Sequence, residues 1–283
     1  MVAPDRAELA GKVAVVTGGG SGLGAGMVEA FAGVGMATVV ADIELAAAES
    51  VARRVASTFG VEATAVQVDV SDPDAVARLA DAAWDRFGSV QLVCNNAGVM
   101  PVGRLLEMTV SEWRWLYDVN VLGVVHGIAS FVPRLLTQGE PARVVNTASM
   151  AAFAPSDTVG AYASSKQAVL GITEALRMEL ADTRVRVSVV CPGAVESRIT
   201  ESERNRPSQY GSASGRVIPD SVDTAKAAAQ RIDASEAGRR VLAGIVADEF
   251  WIFTHPTWAR RITTRFDEAA AAAARTIERS VSS

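Results

Sequence analysis

The sequence is poor in lysine, tyrosine, cysteine and histidine: of its 283 residues, three are lysines, three tyrosines, two cysteines and two histidines. Two cysteines exclude a disulfide framework, and two distant histidines without a CxxC pattern disfavour a zinc site. A net charge of −5 disfavours a surface for nucleic acids or anionic membranes, because both need a basic face. No apolar run free of charges and glycines is long enough to span a membrane, and the N-terminus lacks the apolar segment of a signal peptide. We therefore expect a cytoplasmic protein with no metal, no nucleic-acid partner and no membrane partner.

What the sequence does contain is a regular alternation. Up to about residue 195, short apolar runs rich in β-branched residues alternate with longer segments that carry apolar residues at helical spacing. The runs are almost continuously apolar, which is typical of strands covered on both faces. Strand–helix–strand units with short connections predict a Rossmann-like, doubly wound α/β fold with a parallel sheet of six to seven strands flanked by helices. The predicted strands are Val13–Thr17, Ala37–Asp42, Ala63–Asp69, Val90–Asn95, Arg143–Thr147 and Val185–Val190, with Phe250–Thr254 as a candidate seventh.

The whole chain, 1–283, is expected to form one domain, because no repeat and no domain boundary interrupts the pattern. Its core spans about residues 8–255. Residues from about 197 to 221 hold charges, Gly, Pro and Ser with weak periodicity, which is typical of a functional lid or a disordered segment. Asp223–Ala237 is predicted to be a helix, and about 256–283 to be a C-terminal helical extension with six consecutive alanines.

A glycine-rich turn separates the first predicted strand from the helix that follows it. Glycines let the backbone turn tightly and approach a pyrophosphate, and a helix N-terminus offers free N–H groups and the positive end of its dipole. The strand before the turn, the helix after it and an acidic residue downstream favour a dinucleotide site over an ordinary strand–helix turn. The candidate contacts in this turn are Gly18, Ser21, Gly22, Leu23 and Gly24.

The acidic residue is Asp42, which ends the second strand near the spacing of about 20 residues expected for an acid that binds the adenosine ribose. A carboxylate there repels a 2′-phosphate, and no Lys or Arg lies within the glycine turn or just after Asp42. The sequence therefore predicts NAD rather than NADP, with a purely structural strand-end or helix-capping Asp42 as the alternative. Further candidate contacts follow the third and fourth strands, where the asparagines are also expected to tie strands together: Asp69 and Val70, then Asn96, Ala97 and Gly98.

Tyr162 and Lys166 form the second informative pattern, because helical spacing of four residues puts both on one face. With so few tyrosines and lysines, a chance pair at this spacing is expected only about 0.03 times. A nearby ammonium is expected to lower the pKa of the phenol and so make it a usable base. A half-buried Tyr beside a solvated Lys is the alternative.

Two further polar residues are candidates for the same site. Ser149 ends the fifth strand, at the sheet edge where ligands bind. Asn120 lies in a long helical segment, where its amide can bridge a water or the lysine.

Together these motifs resemble those of the classical short-chain dehydrogenase/reductase family, over roughly residues 8 to 255. The resemblance implies a catalytic tetrad of Asn120, Ser149, Tyr162 and Lys166, in which Asn120 holds a water that connects Lys166 to solvent. It also implies that Tyr162 and Lys166 contact the cofactor, that the turn after the sixth strand meets the nicotinamide, and that the protein is a homodimer or homotetramer. The family often has Thr where this sequence has Ser197, and the hydroxyl is kept. The contacts implied after the sixth strand are Pro192, Gly193, Val195 and Ser197.

The segments around 201–210 and 250–258 are similar to a bacterial subgroup that includes the Cα-dehydrogenases of lignin aryl-ether catabolism. In the family, the first of these segments is the variable substrate loop, so a bulky, largely apolar or aromatic substrate is expected. Arg204 and Arg206 are expected to be solvated charges of this loop, with contact to an anionic substrate as the alternative. The sequence thus predicts an NAD(H)-dependent oxidoreductase that interconverts a secondary alcohol and a ketone, with a catalytically idle NAD-binding sensor as the alternative. Candidate substrate contacts, each of which could equally be packing residues, are Met100, Phe153, Tyr210 and Trp258.

Overall fold

A seven-stranded, entirely parallel sheet forms the centre of the computed structural model, which describes residues 6–217 and 229–281. The strand order is β3-β2-β1-β4-β5-β6-β7, so the chain winds outward from β1 in both directions. The predicted doubly wound fold is therefore confirmed, including the candidate seventh strand. The strands are β1 (Val13–Thr17), β2 (Ala37–Asp42), β3 (Ala63–Gln67), β4 (Leu92–Asn95), β5 (Ala142–Thr147), β6 (Val185–Cys191) and β7 (Trp251–Phe253).

Helices cover both faces of the sheet. Within the described ranges they are α1 (Gly22–Ala32), α2 (Leu45–Phe59), α3 (Pro73–Phe87), α4 (Val110–Tyr117), α5 (Gly123–Thr137), α6 (Gly160–Glu179), α7 (Ala234–Val246) and α8 (Ala259–Val281). One apolar core lies between the sheet and α1, α2 and α7, and another between the sheet and α3, α5 and α6. Successive residues Val15 and Val16 point into opposite cores and are both fully buried. This explains why β1 is apolar throughout rather than alternating.

Helix boundaries follow the local signals. Asp72 caps α3, since its side chain accepts a hydrogen bond from the backbone N–H of Asp74, and Pro73 occupies the first turn. Gly60 and Gly88 end α2 and α3 in the left-handed region, at φ of 69° and 76°. A side chain would be strained at either position, and this is why glycine ends both helices.

The predicted helix Asp223–Ala237 is wrong for residues 230–233 and right for Ala229 and for 234–237, and residues 218–228 lie outside the described residues. Ile232 instead forms a parallel bridge with Val195, and the backbone N–H of Glu196 donates to its carbonyl. The helix begins only at Ala234, because the Asp233 side chain accepts from the backbone N–H of Glu236 and caps it. It then continues to Val246, beyond the predicted end.

The described residues include one helical stretch, Val110–Thr137, that is long and apolar enough to cross a membrane by length and composition. In the fold it is a succession of α4, a π-helical turn and α5. Trp115, Leu116 and Phe131 from this stretch are almost fully buried in the apolar cores, where α5 packs against the sheet.

Helices α1 and α7 pack so closely that glycine is required on both. A Cβ added to Gly26 would lie 1.8 Å from the carbonyl oxygen of Ala234, and one added to Gly238 would lie 2.0 Å from the carbonyl oxygen of Gly26. Since α1 begins at the glycine-rich turn, this contact supports the turn from behind.

We expect Gly238→Ala to lower the free energy of unfolding by about 1–3 kcal/mol, because the added methyl group forces two backbones apart. The matched control is Gly171→Ala in α6, where no heavy atom lies within 4 Å of the added Cβ. That change should be neutral or stabilising by up to about 1 kcal/mol, since alanine favours a helix over glycine. Urea denaturation of both variants measures the difference, and equal effects at the two positions would contradict the close α1–α7 contact.

Candidate active site

A cavity of about 1880 Å³ opens at the carboxyl ends of the strands. In parallel sheets this edge is where ligands bind, because the strand ends and the helix N-termini converge there. The cavity brings together most of the residues predicted from the sequence. These are Gly18, Ser21, Gly22, Leu23, Gly24, Asp42, Asp69, Val70, Asn96, Ala97, Gly98, Met100, Ser149, Phe153, Tyr162, Lys166, Pro192, Gly193, Val195 and Ser197.

The glycine-rich turn is shaped for close approach. Gly18 and Gly22 have φ of 63° and 52°, and a Cβ on Gly22 would lie 2.5 Å from the Cβ of Ser197. A Cβ on Gly24 would lie 2.0 Å from the carbonyl oxygen of Gly18. Ser21 precedes α1 and makes no side-chain capping hydrogen bond. The first turn of α1 therefore presents N–H groups to the cavity, an arrangement that fits a pyrophosphate.

Asp42 closes the outer end of this turn. Its carboxylate oxygens accept hydrogen bonds from the backbone N–H of Gly20 at 2.9 Å and of Glu44 at 3.0 Å. A side chain on Gly20 would collide with this carboxylate, at 2.9 Å from Oδ2. The carboxylate is thus oriented by the backbone and still lines the cavity, so that Asp42 combines the structural role with a position suited to ribose hydroxyls.

Two arginines that the local sequence around Asp42 could not reveal reach this corner from the substrate loop. Arg204 forms a two-pronged contact with Glu44, with both nitrogen–oxygen distances 3.0 Å, and Arg198 lies 3.4 Å from the same carboxylate. The hydrogen bond from Arg204 is the main reason why the pKa of Glu44 lies below its ordinary value. Positive charge is therefore present near Asp42, but Glu44 and Glu201 pair with it.

The asparagines after β4 tie the strands together, as predicted. The Asn96 side-chain amide donates to the carbonyl oxygen of Thr17 at 2.9 Å, and its oxygen accepts from the Thr147 hydroxyl at 3.3 Å. Asn95 donates to the Asn146 side chain at 2.9 Å. Asp69 accepts from the backbone N–H and the hydroxyl of Ser71 through a single oxygen, Oδ1. These bonds hold the floor of the cavity rigid at the ends of β1, β3, β4 and β5.

The three predicted reactive side chains Ser149, Tyr162 and Lys166 meet at the inner end of the cavity. Tyr162 and Lys166 share one face of α6, and both are buried, with 7% and 2% exposure. The Lys166 ammonium donates to the carbonyl oxygen of Thr147 at 2.8 Å and lies 5.7 Å from the centre of the Tyr162 ring. Ser149 hydrogen-bonds to Tyr162 and accepts from the backbone N–H of Ala151 at 3.1 Å.

Burial changes the acidity of this pair in a direction that the sequence did not predict. It raises the pKa of Tyr162 to about 12, and the hydrogen bond with Ser149 only partly opposes that shift. Burial also lowers the pKa of Lys166 to about 8. The expected lowering of the Tyr162 pKa is therefore wrong for the side chains alone, because desolvation of the phenolate outweighs the neighbouring ammonium.

Asn120 lies behind the reactive pair rather than in the cavity lining. It belongs to the π-helical turn Asp118–Leu122 between α4 and α5 and is fully buried. Its side-chain oxygen accepts from the backbone N–H of Val99 at 2.8 Å, and its side-chain nitrogen donates to the carbonyl oxygen of Val99 at 3.0 Å. The same nitrogen also donates to the Ser165 hydroxyl. A Cβ on Gly98 would lie 3.3 Å from Asn120 and 3.4 Å from Lys166. The predicted water between Asn120 and Lys166 stays a prediction.

Phe153 forms an aromatic wall at the far end of the cavity, and side chains of the C-terminal helix also line the cavity. Phe153 packs against Trp251, Phe253 and Phe266 with ring centres 5.9–6.4 Å apart. Arg265 of α8 donates to the carbonyl oxygen of Ala152 at 2.6 Å and lines the cavity together with Thr264 and Glu268. The C-terminal extension thus covers the side of the cavity where Phe153 lies.

Among the predicted substrate contacts whose side chains are described, one does not reach the cavity. Tyr210 is absent from its lining, because its hydroxyl donates to Asp118 at 2.8 Å and its backbone carbonyl accepts from Ser111. The side chain of Trp258 lies outside the described residues. Met100 and Phe153 do line the cavity.

The expectation of solvated arginines in the substrate loop is also wrong. The Arg206 side chain is only 3% exposed and lies within ion-pair distance of Glu112 and Glu203, at 3.6 and 3.4 Å. Its guanidinium lies 5.5 Å from the ring centre of Trp115, which lines the cavity, and Arg216 also pairs with Glu112. The buried Glu112 carboxylate therefore anchors the substrate loop beside the cavity through Arg206 and Arg216, although the sequence of the loop is hydrophilic.

The short chain dehydrogenase family matches residues 12–208, and the chain belongs to this family of oxidoreductases. Its relatives are dehydrogenases of small molecules, so a small-molecule substrate follows for this chain as well. The predicted family is thereby confirmed.

Among the relatives, the 1-deoxy-11-beta-hydroxypentalenate dehydrogenase of Streptomyces exfoliatus is 36% identical over 261 residues, which cover 91% of this chain and 88% of that protein. The C alpha-dehydrogenase of a Sphingobium species is 36% identical over 203 residues, covering 71% of this chain and 66% of that protein. A crystal structure of a short-chain dehydrogenase/reductase from Burkholderia phymatum in complex with NAD superposes with a TM-score of 0.84 and 35% identity, covering 94% of this chain and 96% of that one. The similarity to the Cα-dehydrogenase subgroup is thus confirmed, while the homo-oligomer and the cytoplasmic location stay predictions.

Proposed function

We propose that the protein is an NAD(H)-dependent oxidoreductase that interconverts a bulky secondary alcohol and the corresponding ketone. The observation that carries this proposal is one continuous cavity with two differently equipped ends. One end has the N-terminus of α1 and the Asp42 carboxylate, and the other has Ser149, Tyr162 and Lys166. A dinucleotide lying between them would place its reactive ring beside the only buried phenol and ammonium that line the described cavity.

The choice of NAD over NADP rests on charge. The carboxylate of Asp42, oriented by two backbone N–H groups, favours ribose hydroxyls and repels a phosphate. Arg198 and Arg204 lie near enough to attract a phosphate, but Glu44 engages both. The Burkholderia phymatum relative, whose structure contains NAD, supports the same choice.

The chemistry assigned to the protein's own groups is proton transfer and orientation. When bound, the nicotinamide supplies the hydride acceptor or donor, which no side chain can replace. Tyr162 takes the proton of the alcohol in oxidation and returns it to the ketone in reduction. Ser149 binds the reacting oxygen. Lys166, fixed by the Thr147 carbonyl, stabilises the phenolate.

We expect the rate of oxidation to rise with pH up to about 8, the pKa to which burial lowers Lys166, and then to level off. The active pair is a Tyr162 phenolate beside a Lys166 ammonium, and below this pH each unit of pH increases its population about tenfold. Between the pKa of Lys166, about 8, and that of Tyr162, about 12, the pair as a whole has lost one proton. In this pH range, the fraction of the pair that holds a Tyr162 phenolate and a Lys166 ammonium, rather than a neutral phenol and a neutral amine, does not change with pH. Measuring kcat/KM for an alcohol against pH tests this, and an oxidation rate that declines as the pH rises towards neutrality would contradict it.

The substrate is proposed to be a bulky alicyclic or aryl secondary alcohol. Phe153, which packs against Trp251 and Phe266, offers an apolar wall to such a molecule, while α8 adds the polar side chains of Thr264, Arg265 and Glu268. The names of the relatives support this class, since one is a dehydrogenase of a hydroxypentalenate and another a C alpha-dehydrogenase.

The proposal is tested by following the absorbance of NADH while NAD is incubated with a panel of aryl, alicyclic and steroid secondary alcohols. We expect NADH formation with at least one member of the panel. Tight binding of NAD in calorimetry without turnover of any alcohol or ketone would instead favour the idle NAD-binding sensor.

A further inference from the structure

His255 lies directly behind the turn that follows β6. It comes two residues after the end of β7, which pairs with β6, and its side chain is 4% exposed. Its imidazole bridges the turn: Nδ1 lies 3.1 Å from the backbone nitrogen of Gly193, and Nε2 lies 3.1 Å from the carbonyl oxygen of Ala194. The hydroxyl of Thr254 also lies 2.8 Å from Nδ1. One ring therefore contacts the backbone of two successive residues of the turn.

The partners determine which ring nitrogen carries the proton. A carbonyl oxygen can only accept, so Nε2 must be protonated and donate to Ala194. The backbone N–H of Gly193 can only donate, so Nδ1 must be unprotonated and accept. Only the neutral imidazole with the proton on Nε2 satisfies both, and the Thr254 hydroxyl can rotate to suit it.

The turn and the ring are matched in shape as well. A Cβ on Gly193 would lie 2.7 Å from Cγ and 2.8 Å from Nδ1 of His255. The imidazole thus packs against bare backbone, and any side chain at position 193 would push the turn away from the ring. Gly193 and His255 form one unit, although 62 residues separate them in the chain.

We propose that His255 is a positioning residue that holds the turn Pro192 to Val195 at the nicotinamide end of the cavity, and that it does so only in its neutral form. This inference rests on the proposed function, because the turn gains its role from the cofactor. Protonation would place an N–H on Nδ1 directly opposite the N–H of Gly193, and the turn would lose that anchor.

The charges around His255 favour the neutral form. Arg240 of α7 donates to the carbonyl oxygen of Thr254 and pairs with Glu236 at 2.8 Å. Cys191, just before the turn, stays a neutral thiol because burial raises its pKa, and the turn itself has no titratable side chain. Burial lowers the pKa of His255 below its ordinary value, and Arg240 adds to this, whereas hydrogen bonds to the backbone of Ala194 and Gln230 oppose it.

Two substitutions of His255 distinguish a role in positioning the turn by hydrogen bonds from a role in packing alone. His255→Leu removes both ring nitrogens, whereas His255→Asn places a carboxamide oxygen at the position of Nδ1 and cannot be protonated at neutral or acidic pH. The matched control is Thr257→Ala, an exposed position two residues along the same segment whose hydroxyl donates to the Gln230 side chain. For each variant we would measure kcat, the KM for NAD and the KM for the alcohol across pH, together with NAD affinity by calorimetry.

We expect His255→Leu to raise the KM for NAD by about tenfold, the value of one ordinary buried hydrogen bond, without a comparable change in the KM for the alcohol. In the wild type the KM for NAD should rise only at a pH below the ordinary histidine pKa of about 6.5, because burial lowers the pKa of His255. His255→Asn should restore NAD binding at neutral pH and abolish that acidic rise. Thr257→Ala should behave as the wild type.

The inference would be overturned if His255→Leu kept the wild-type KM for NAD, or if His255→Asn kept the acidic rise. A wild-type protein that neither bound nor reduced NAD would overturn the proposed function instead. The two failures are distinguishable because the first is a difference between variants, whereas the second is a property of the wild type.

Discussion

Replacing Tyr162 by phenylalanine should lower kcat for alcohol oxidation by about 10²–10⁴-fold, the usual contribution of a positioned acid or base. The change removes one oxygen from a buried ring and leaves the glycine turn and Asp42 untouched, so the affinity for NAD should be unchanged. The hydroxyl is the group that exchanges a proton with the substrate, and its loss removes the hydrogen bond between Ser149 and the phenol. Stopped-flow measurement of NADH formation, with NAD affinity measured by calorimetry, separates the two effects.

Tyr117 provides the matched control, because its hydroxyl donates to Ser164 at 3.1 Å and it does not line the cavity. Tyr117→Phe removes the same atom from a neighbouring helix and should keep near-normal turnover. Near-normal turnover of Tyr162→Phe would remove Tyr162 from the mechanism.

The second large effect is expected at the cofactor corner, where Asp42→Ala combined with Glu44→Gln should shift the preference from NAD towards NADP. Loss of the Asp42 carboxylate removes the acceptor for ribose hydroxyls and the repulsion of a phosphate. Neutralising Glu44 removes the carboxylate partner of Arg204 and one of the two carboxylate partners of Arg198, and both arginines line the cavity. Because hydrogen bonds to charged groups contribute about 1.5–3 kcal/mol, each change should alter the ratio of kcat/KM for NADP to that for NAD by about 10–100-fold.

Glu49→Gln is the control for this pair. Glu49 lies on α2, pairs with Arg53 at 3.3 Å and does not line the cavity. It should leave the cofactor ratio unchanged. If the double variant also kept the wild-type ratio, the charges around Asp42 would not determine the choice of cofactor.

The fold and most of the site could be predicted because both depend on local patterns. β1 and β2 are buried on both faces, so their continuous β-branched runs predicted their bounds correctly. The carboxyl ends of parallel strands share one edge, so motifs far apart in sequence, such as Asp42, Asn96 and Ser149, could be placed in a common cavity.

The features that were not predicted depend on tertiary contacts. Arg204 meets Glu44 across 160 residues of chain, and nothing near either residue indicates the pairing. Arg206 looks solvated in sequence but is buried by the Glu112 carboxylate and the Trp115 ring. The direction of the Tyr162 pKa shift depends on how completely α6 is covered, which spacing along a helix does not reveal.

The most direct test of the central claim follows the hydride itself. NAD is incubated with an accepted secondary alcohol that carries deuterium on its carbinol carbon, and the reduced cofactor is analysed by mass spectrometry and proton NMR. The account predicts that one deuterium is transferred to the nicotinamide ring on a single face, that the ketone is formed in equal amount, and that Tyr162→Phe suppresses both. NADH without deuterium, or ketone formed without reduction of NAD, would contradict the account.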